Sequence, residues 1–192
     1  EPWSAQGCRV LLIAQYHGTP EQGKPLDPEQ VRPMALALLS NRIRATAPET
    51  FRFFAQEGVS IRVISGDNPV TVSEVARRAG IAGAERYIDA STLKTEGDFA
   101  RAARECTVFG RVTPDNKKKL IRAMKKEGHT VAMTGDGVND VLALREADCG
   151  IAMASGSQAA SQVAQLVLLQ SDFAAMRGVV GEGRRVINNI QR

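Results

Sequence analysis

No run of apolar residues in the sequence approaches the ~18 that a membrane-crossing helix needs, and its start lacks the basic-then-apolar order of a secretory leader. As given, the chain is expected to be soluble. Cysteine is scarce. Cys8, Cys106 and Cys149 lie far apart, which excludes a closely spaced metal-ligand set and a disulfide framework. Reduced, buried thiols in a cytosolic protein are the default for such residues. A block of one charge is missing too. The formal charge of +4 is scattered, and the densest basic stretch, Lys117 to Lys119 with Arg122, Lys125 and Lys126, is interrupted at helical spacing by Leu120, Ile121 and Met124. That pattern reads as a solvated helix face, so no nucleic-acid partner is expected. Internal repeats and low-complexity segments are also absent.

The 192 residues can hold one domain with a core, or a core domain and part of a neighbour. Short apolar runs alternate with helical patterns, which predicts an α/β fold with parallel strands joined by crossover helices. The start is the exception. Arg9 to Gln15 reads as a strand, whereas His17 to Pro33 is rich in Pro, Gly and charge and reads as a linker, with a boundary near Gln30. Residues 1–30 are therefore expected to close one unit and 31–192 to form another.

In the second unit a strand over Met34 to Leu39, a helix from Pro48 to Gln56 and a strand from Val59 to Ser65 are expected to make one βαβ unit. A helix then runs from Pro69 to about Ala79, with Asp67 or Asn68 as cap and Gly80 as stop. A polar connection leads to a short strand over Thr107 to Phe109. Thr113 caps the next helix, Pro114 opens it and Gly128 closes it. Thr130 to Thr134, Cys149 to Met153 and Leu166 to Leu169 read as strands, Val138 to Glu146 as a helix, and an amphipathic helix from about Ala174 stops abruptly at Arg192.

Three places carry chemistry. Thr130-Val-Ala-Met-Thr-Gly-Asp-Gly-Val-Asn-Asp140 has the order apolar strand, glycine-punctuated polar turn, helix, and ligands of open parallel sheets bind beyond such strand ends. Asp136 and Asp140 with Asn139 between them offer the hard oxygen donors that suit Mg2+, and Gly135 and Gly137 let backbone pass close to a bound group. Helix capping alone would need only one of these polar residues. Val63-Ile64-Ser65-Gly66-Asp67-Asn68-Pro69 repeats the pattern. Ser65 could hold a phosphate oxygen with its hydroxyl and the turn's N–H groups, although a capped strand-to-helix turn explains that segment equally well. Lys117, in the first turns of the helix opened by Pro114, could set a positive charge against a phosphate. Together these are the parts of a phosphoryl-transfer site, where catalysis is mostly positioning and charge stabilisation.

At these residues the sequence resembles the P-type ATPases, a branch of the haloacid-dehalogenase superfamily. Thr134 to Asp140, TGDGVND, matches the family's hinge motif, and LALREADCGIAM from Leu142 to Met153 continues in its manner. VISGDN from Val63 resembles the second motif with Ser65 for the usual threonine. FGRVTP from Phe109 with Lys117 resembles the segment of the catalytic lysine. Gly181 to Ile190 is similar to the stretch that leads into the fifth membrane helix, and Gly7 to Ala14 to the last strand of the inserted nucleotide domain.

The resemblance implies a Rossmann-like core with a parallel sheet flanked by helices. It implies a Mg2+-dependent transfer of phosphate from ATP to an aspartate, then hydrolysis of the aspartyl phosphate, coupled to cation transport. It implies Asp136 as a Mg2+ ligand, with Asp140 sharing the metal site and Asn139 and Gly66 supporting the catalytic turns. Ser65 and Lys117 would hold the phosphoryl group, and Arg9, Asp67 and Arg111 would place ATP beside Gly135 and Gly137. The implied partners are the rest of the pump: nucleotide domain, actuator domain and membrane helices, with Ca2+ or Mg2+ as cargo. The expected setting is the cytoplasmic side of a bacterial plasma membrane.

Two departures stand out. The family's DPPR segment appears as Asn41-Arg-Ile-Arg44, a form associated with a bacterial cation-transporting subgroup, and the phosphorylated DKTGT motif occurs nowhere. The nucleophile-bearing strand is therefore expected to be missing, leaving the isolated chain inactive. A soluble phosphatase of the superfamily would carry a nucleophilic Asp on an early apolar strand, and none precedes Met34. A non-enzymatic regulatory module of the same fold is the other alternative.

Overall fold

The computed structural model describes residues 3, 6–20, 22–40 and 42–191. The departure at Asn41 and the end at Arg192 lie outside the described residues. Strand β1 (Arg9–Tyr16) pairs antiparallel with β2 (Val31–Leu39) in a two-stranded ribbon. This overturns the expected βαβ unit, because β2 joins no parallel sheet. It also extends the strand back through Pro33. A proline donates no hydrogen bond, and this one sits where the register shifts between Ile13 and Ala14, at a bulge that tolerates it. Leu12, Ile13, Met34 and Leu36 on the ribbon are all exposed.

The remaining strands form two parallel three-stranded sheets. One has the order β3 (Val63–Ile64), β5 (Val108–Gly110), β4 (Tyr87–Asp89). The other runs β6 (Ala132–Gly135), β7 (Cys149–Met153), β8 (Leu166–Leu168). The two strands that lead into the motif turns, β3 and β6, are thus each at the edge of its sheet. Of the expected strand from Val59 to Ser65 only β3 remains, since residues 59–62 pair with no neighbour.

Helix α1 (Ala47–Gln56) ends before Gly58, whose φ of 74° is the left-handed conformation glycine supplies. In α2 (Pro69–Arg78) the Asn68 side chain accepts from the Val70 N–H, so Asn68 rather than Asp67 is the cap. The polar connection contains β4 and α3 (Glu96–Glu105), which a capping box between Thr95 and Asp98 starts. Helix α4 (Pro114–Lys126) is capped by Thr113. A single turn of 3-10 helix (Val138–Asp140) precedes α5 (Val141–Glu146), and the short α6 (Gln158–Val163) links β7 to β8. The last helix, α7 (Met176–Ile190), is held to α1 by an Arg177–Glu49 ion pair and to the residue that follows α1 by an Arg184–Glu57 ion pair.

Phe109 of β5, Leu120 and Ile121 of α4 and Leu144 of α5 are fully buried in one cluster, so α4 is the wedge that joins the two sheets. Leu120, Ile121 and Met124 define its buried stripe, and Lys117, three residues before Leu120, falls on the same stripe. That is why this one lysine points inward. Among the described residues no helix is long and apolar enough to cross a membrane.

Candidate functional site

The turn after β6 is built around Asp140. This residue is 6% exposed, and Oδ1 of its carboxylate lies 2.6 Å from Lys117 Nζ. Its Oδ2 accepts from the backbone N–H groups of Gly137 at 3.1 Å and Asp136 at 3.3 Å. A buried carboxylate is tolerated when a cation and N–H donors surround it, and this one has both. Gly135 is a steric requirement of the arrangement, since a Cβ there would stand 2.6 Å from Asp140 Cβ. Gly137 carries no such constraint, its nearest approach being 3.5 Å.

Asp136 and Asn139 differ from Asp140. Both are exposed, and neither side chain has a hydrogen-bond partner among the described residues. The backbone of Asp136 is nonetheless fixed from both sides: its N–H by Asp140, and its carbonyl by the Ser157 N–H at 2.6 Å. An open hard carboxylate at a strand end fits Mg2+ as one ligand, because Mg2+ keeps several waters and takes phosphate oxygens for the rest of its shell. No cluster of three or more His, Cys, Asp or Glu suited to a metal occurs among the described residues, so an all-protein metal cage is not what this site offers.

The second turn is tied to the first through α4. Ser65 Oγ accepts from the Asp67 N–H at 3.1 Å, closing the turn around Gly66. The segment between β5 and α4 then crosses it. Arg111 N–H donates to the Asp67 carbonyl at 2.8 Å, and Val112 N–H to the Ser65 carbonyl at 3.0 Å. Arg111 adopts φ 50° to do so, a sparsely populated conformation for a non-glycine residue. A continuous set of contacts therefore runs from Ser65 through Val112 and the start of α4 to Lys117 and Asp140.

Arg9, Asp67 and Arg111, separated in sequence, line one cavity of about 280 Å3 with Gly66, Asn68 and Thr71. Arg9 stands 3.8 Å from Asp67, while Arg111 reaches the other way and pairs with Asp89 at 2.8 Å. The Ser91 hydroxyl, more than the Arg111 guanidinium, holds the Asp89 carboxyl below the usual carboxylate range. Asp89 was not a candidate in the sequence, nor were Gly156 and Ser157 behind Asp136. Only the run of small residues Ala154-Ser-Gly-Ser157 marked that segment.

The fold and these turns define a haloacid dehalogenase-like hydrolase. The profile of that family matches residues 5–148, and the chain belongs to it. The relatives narrow the likeness to cation-transporting P-type ATPases. The "Probable cation-transporting ATPase exp7" of Streptococcus pneumoniae is 48% identical over 185 residues, which is 96% of this chain and 24% of that protein. The "Calcium-transporting ATPase CtpE" of Mycolicibacterium smegmatis is 50% identical over 189 residues, 98% of this chain and 23% of that protein. A crystal structure of a zinc-transporting PIB-type ATPase in the E2.Pi state shares the fold at TM-score 0.68 and 21% identity, covering 99% of this chain and 25% of that one. The chain spans about a quarter of the length of these relatives.

Proposed function

We propose that this chain is part of the phosphorylation domain of an ATP-driven cation pump. In this reading phosphate passes from ATP to an aspartate on a parallel strand outside the chain, adjoining the open edges of β3 and β6, and is then hydrolysed. The single observation that carries it is the end of β6: a buried Lys117–Asp140 pair beside the open carboxylate of Asp136.

Asp136 would hold Mg2+. Mg2+ bound there would supply charge stabilisation for the phosphoryl oxygens. Lys117 has three donors and gives one to Asp140, so it can meet a phosphoryl oxygen without leaving its pair. Asp140 acts as the organiser of the turn, since its oxygens already accept from Lys117 and two N–H groups. In this reading Asp136 alone would hold the metal, and Asp140, expected to share it, would organise the turn. Ser65 would accept or donate at the phosphoryl group from the adjoining turn, with Asn139 supporting the metal's water shell. The cavity of Arg9, Asp67 and Arg111 would receive the nucleotide phosphates. Residues 1–30 would close the nucleotide domain and 31–192 belong to the phosphorylation domain, on the cytoplasmic side of a bacterial plasma membrane. Nucleotide domain, actuator domain and membrane helices would be its partners within one pump, and a divalent cation, Ca2+ or Mg2+, the cargo.

The test is Asp136→Asn in a full-length pump containing this chain. The side chain has no partner to lose among the described residues, so folding should be unchanged. Losing the charge of a metal ligand should slow phosphoenzyme formation from ATP by roughly a hundredfold or more. A hydroxylamine-sensitive phosphoenzyme forming at the wild-type rate would overturn the assignment.

A further inference from the structure

We infer that Gly156 is a positioning residue for the metal carboxylate, and that the segment 154–157 is a strap fixing Asp136 from behind. The inference rests on the reading of Asp136 as a Mg2+ ligand and concerns what sets that ligand's position. The carboxylate of Asp136 has no hydrogen-bond or ion-pair partner among the described residues, so its place depends on how its peptide is held. In front, the Asp136 N–H donates to Asp140. Behind, the carbonyl takes the Ser157 N–H at 2.6 Å.

The approach on that side is as close as backbone allows. A Cβ built on Gly156 would lie 2.9 Å from Asp136 Cα and 3.0 Å from its carbonyl carbon, and nearer still to its carbonyl oxygen. These are backbone atoms, with no flexible chain end to swing aside. Only glycine fits without displacing Asp136.

The strap is anchored away from the metal turn. Ala154 N–H donates to the Leu168 carbonyl at 3.1 Å, Gly156 N–H closes back on Met153 at 2.9 Å, and Ser157 Oγ caps α6 by accepting from Ala160 N–H at 3.2 Å. Ser155 N–H donates to Ser171 Oγ at 2.9 Å. Ser171 holds that position at φ 51°, and Arg44 fixes it further, reaching the Ser171 carbonyl at 3.3 Å and Asp172 at 3.5 Å. The strap therefore ties Asp136 to the end of β8 and the residues that lead into α7. A left-handed serine held by an arginine 127 residues away is more than a solvated loop needs.

Groups that orient a metal ligand change metal affinity by about 10–100-fold when altered. Mn2+ is the probe, titrated by electron paramagnetic resonance in the presence of inorganic phosphate into a full-length pump containing this chain, with thermal unfolding of each variant alongside. Asp136→Asn should abolish the site. Gly156→Ala should weaken Mn2+ by about tenfold or more at a similar thermal midpoint. Gly178→Ala, where a Cβ meets nothing within 4 Å, should bind as the wild type does.

Loss in Asp136→Asn with wild-type affinity in Gly156→Ala overturns the inference and leaves the metal reading standing. Unchanged binding in Asp136→Asn removes both. If Gly156→Ala does not fold, Ser171→Gly decides. It removes the Oγ anchor while suiting the left-handed backbone, and should weaken Mn2+ severalfold; wild-type affinity there overturns the strap.

Discussion

Two ion pairs on α4 have the same separation and should have very different worth. Lys117–Asp140 and Lys119–Asp115 are both 2.6 Å apart, but their side chains are 13% and 9% exposed in the first pair against 51% and 64% in the second. At an effective dielectric of 20, unit charges about 4 Å apart attract by ~4 kcal/mol, and desolvation takes back part of this. A double-mutant cycle of Lys117→Met and Asp140→Asn is therefore expected to give a coupling of about 2–3 kcal/mol. The single change at Asp140 should cost about 3 kcal/mol, because the charge of Lys117 stays buried without its counterion. The matching cycle of Lys119→Met and Asp115→Asn should give about 0.3–0.5 kcal/mol, the value of exposed pairs one helical turn apart. Urea unfolding of the four variants of each cycle measures both, and 0.5 M salt should shrink only the second. Equal couplings in the two cycles would refute the argument that burial, rather than distance, sets the strength of the Lys117 pair.

Within a full pump, Lys117→Ala should cripple turnover, whereas alanine at Lys118 or Lys119 should keep activity and change stability by no more than about 0.5 kcal/mol; equal losses at all three would mean a generally basic face. Acid should destabilise the chain through Asp148, whose carboxyl is held below its usual range first by the Val131 N–H and then by Lys125. A depressed folded value contributes stability above the unfolded pKa of about 4 and loses it as pH falls through the folded value, so the thermal midpoint should fall below about pH 4. Asp148→Asn should make that fall shallower, and an unaltered pH profile would sink the assignment.

The turn motifs and the cap at Thr113 were legible because each is a local pattern: a glycine-acid turn after an apolar run, a side chain one turn from the N-terminus. The inward position of Lys117 was not, since the basic stretch around it reads as a solvated face and only the packing of α4 puts it on the stripe of Leu120, Ile121 and Met124. The pairing of β1 with β2 was not. Nothing in the strands themselves says which other strand they meet, and the Pro-rich connection between them reads as a linker rather than as the loop of a ribbon. Helix α3 went unread although Thr95, Asp98 and the buried Phe99, Ala102 and Ala103 carry its cap and its face, because polar residues outnumber apolar ones across it. At the site, Asp136 and Asp140 looked alike in sequence. What separates them is burial and the count of donors around each, and both depend on contacts from α4 and the segment after β7. Gly156 was invisible for the same reason, since its meaning lies in what stands opposite it.

The division of labour between the two aspartates follows from this physical difference. A cation waiting for a phosphoryl group must be held in place beforehand, since electrostatic stabilisation is strongest when no reorganisation accompanies the reaction. A lysine alone on a flexible stem would not be so held. Buried Asp140 fixes it, and the two N–H groups on Oδ2 keep Asp140 aimed at Lys117. The same two bonds shape the peptide of Asp136, so the residue that holds the cation also orients the open carboxylate beside it. Had Asp140 been exposed as well, two mobile carboxylates would compete for one lysine, and neither the cation nor the metal ligand would have a defined position. Had Asp136 been buried, no oxygen would remain for a metal. One committed and one free carboxylate, four residues apart on a turn that needs Gly135 to close, is the arrangement that leaves both a fixed positive charge and an open ligand at the end of β6.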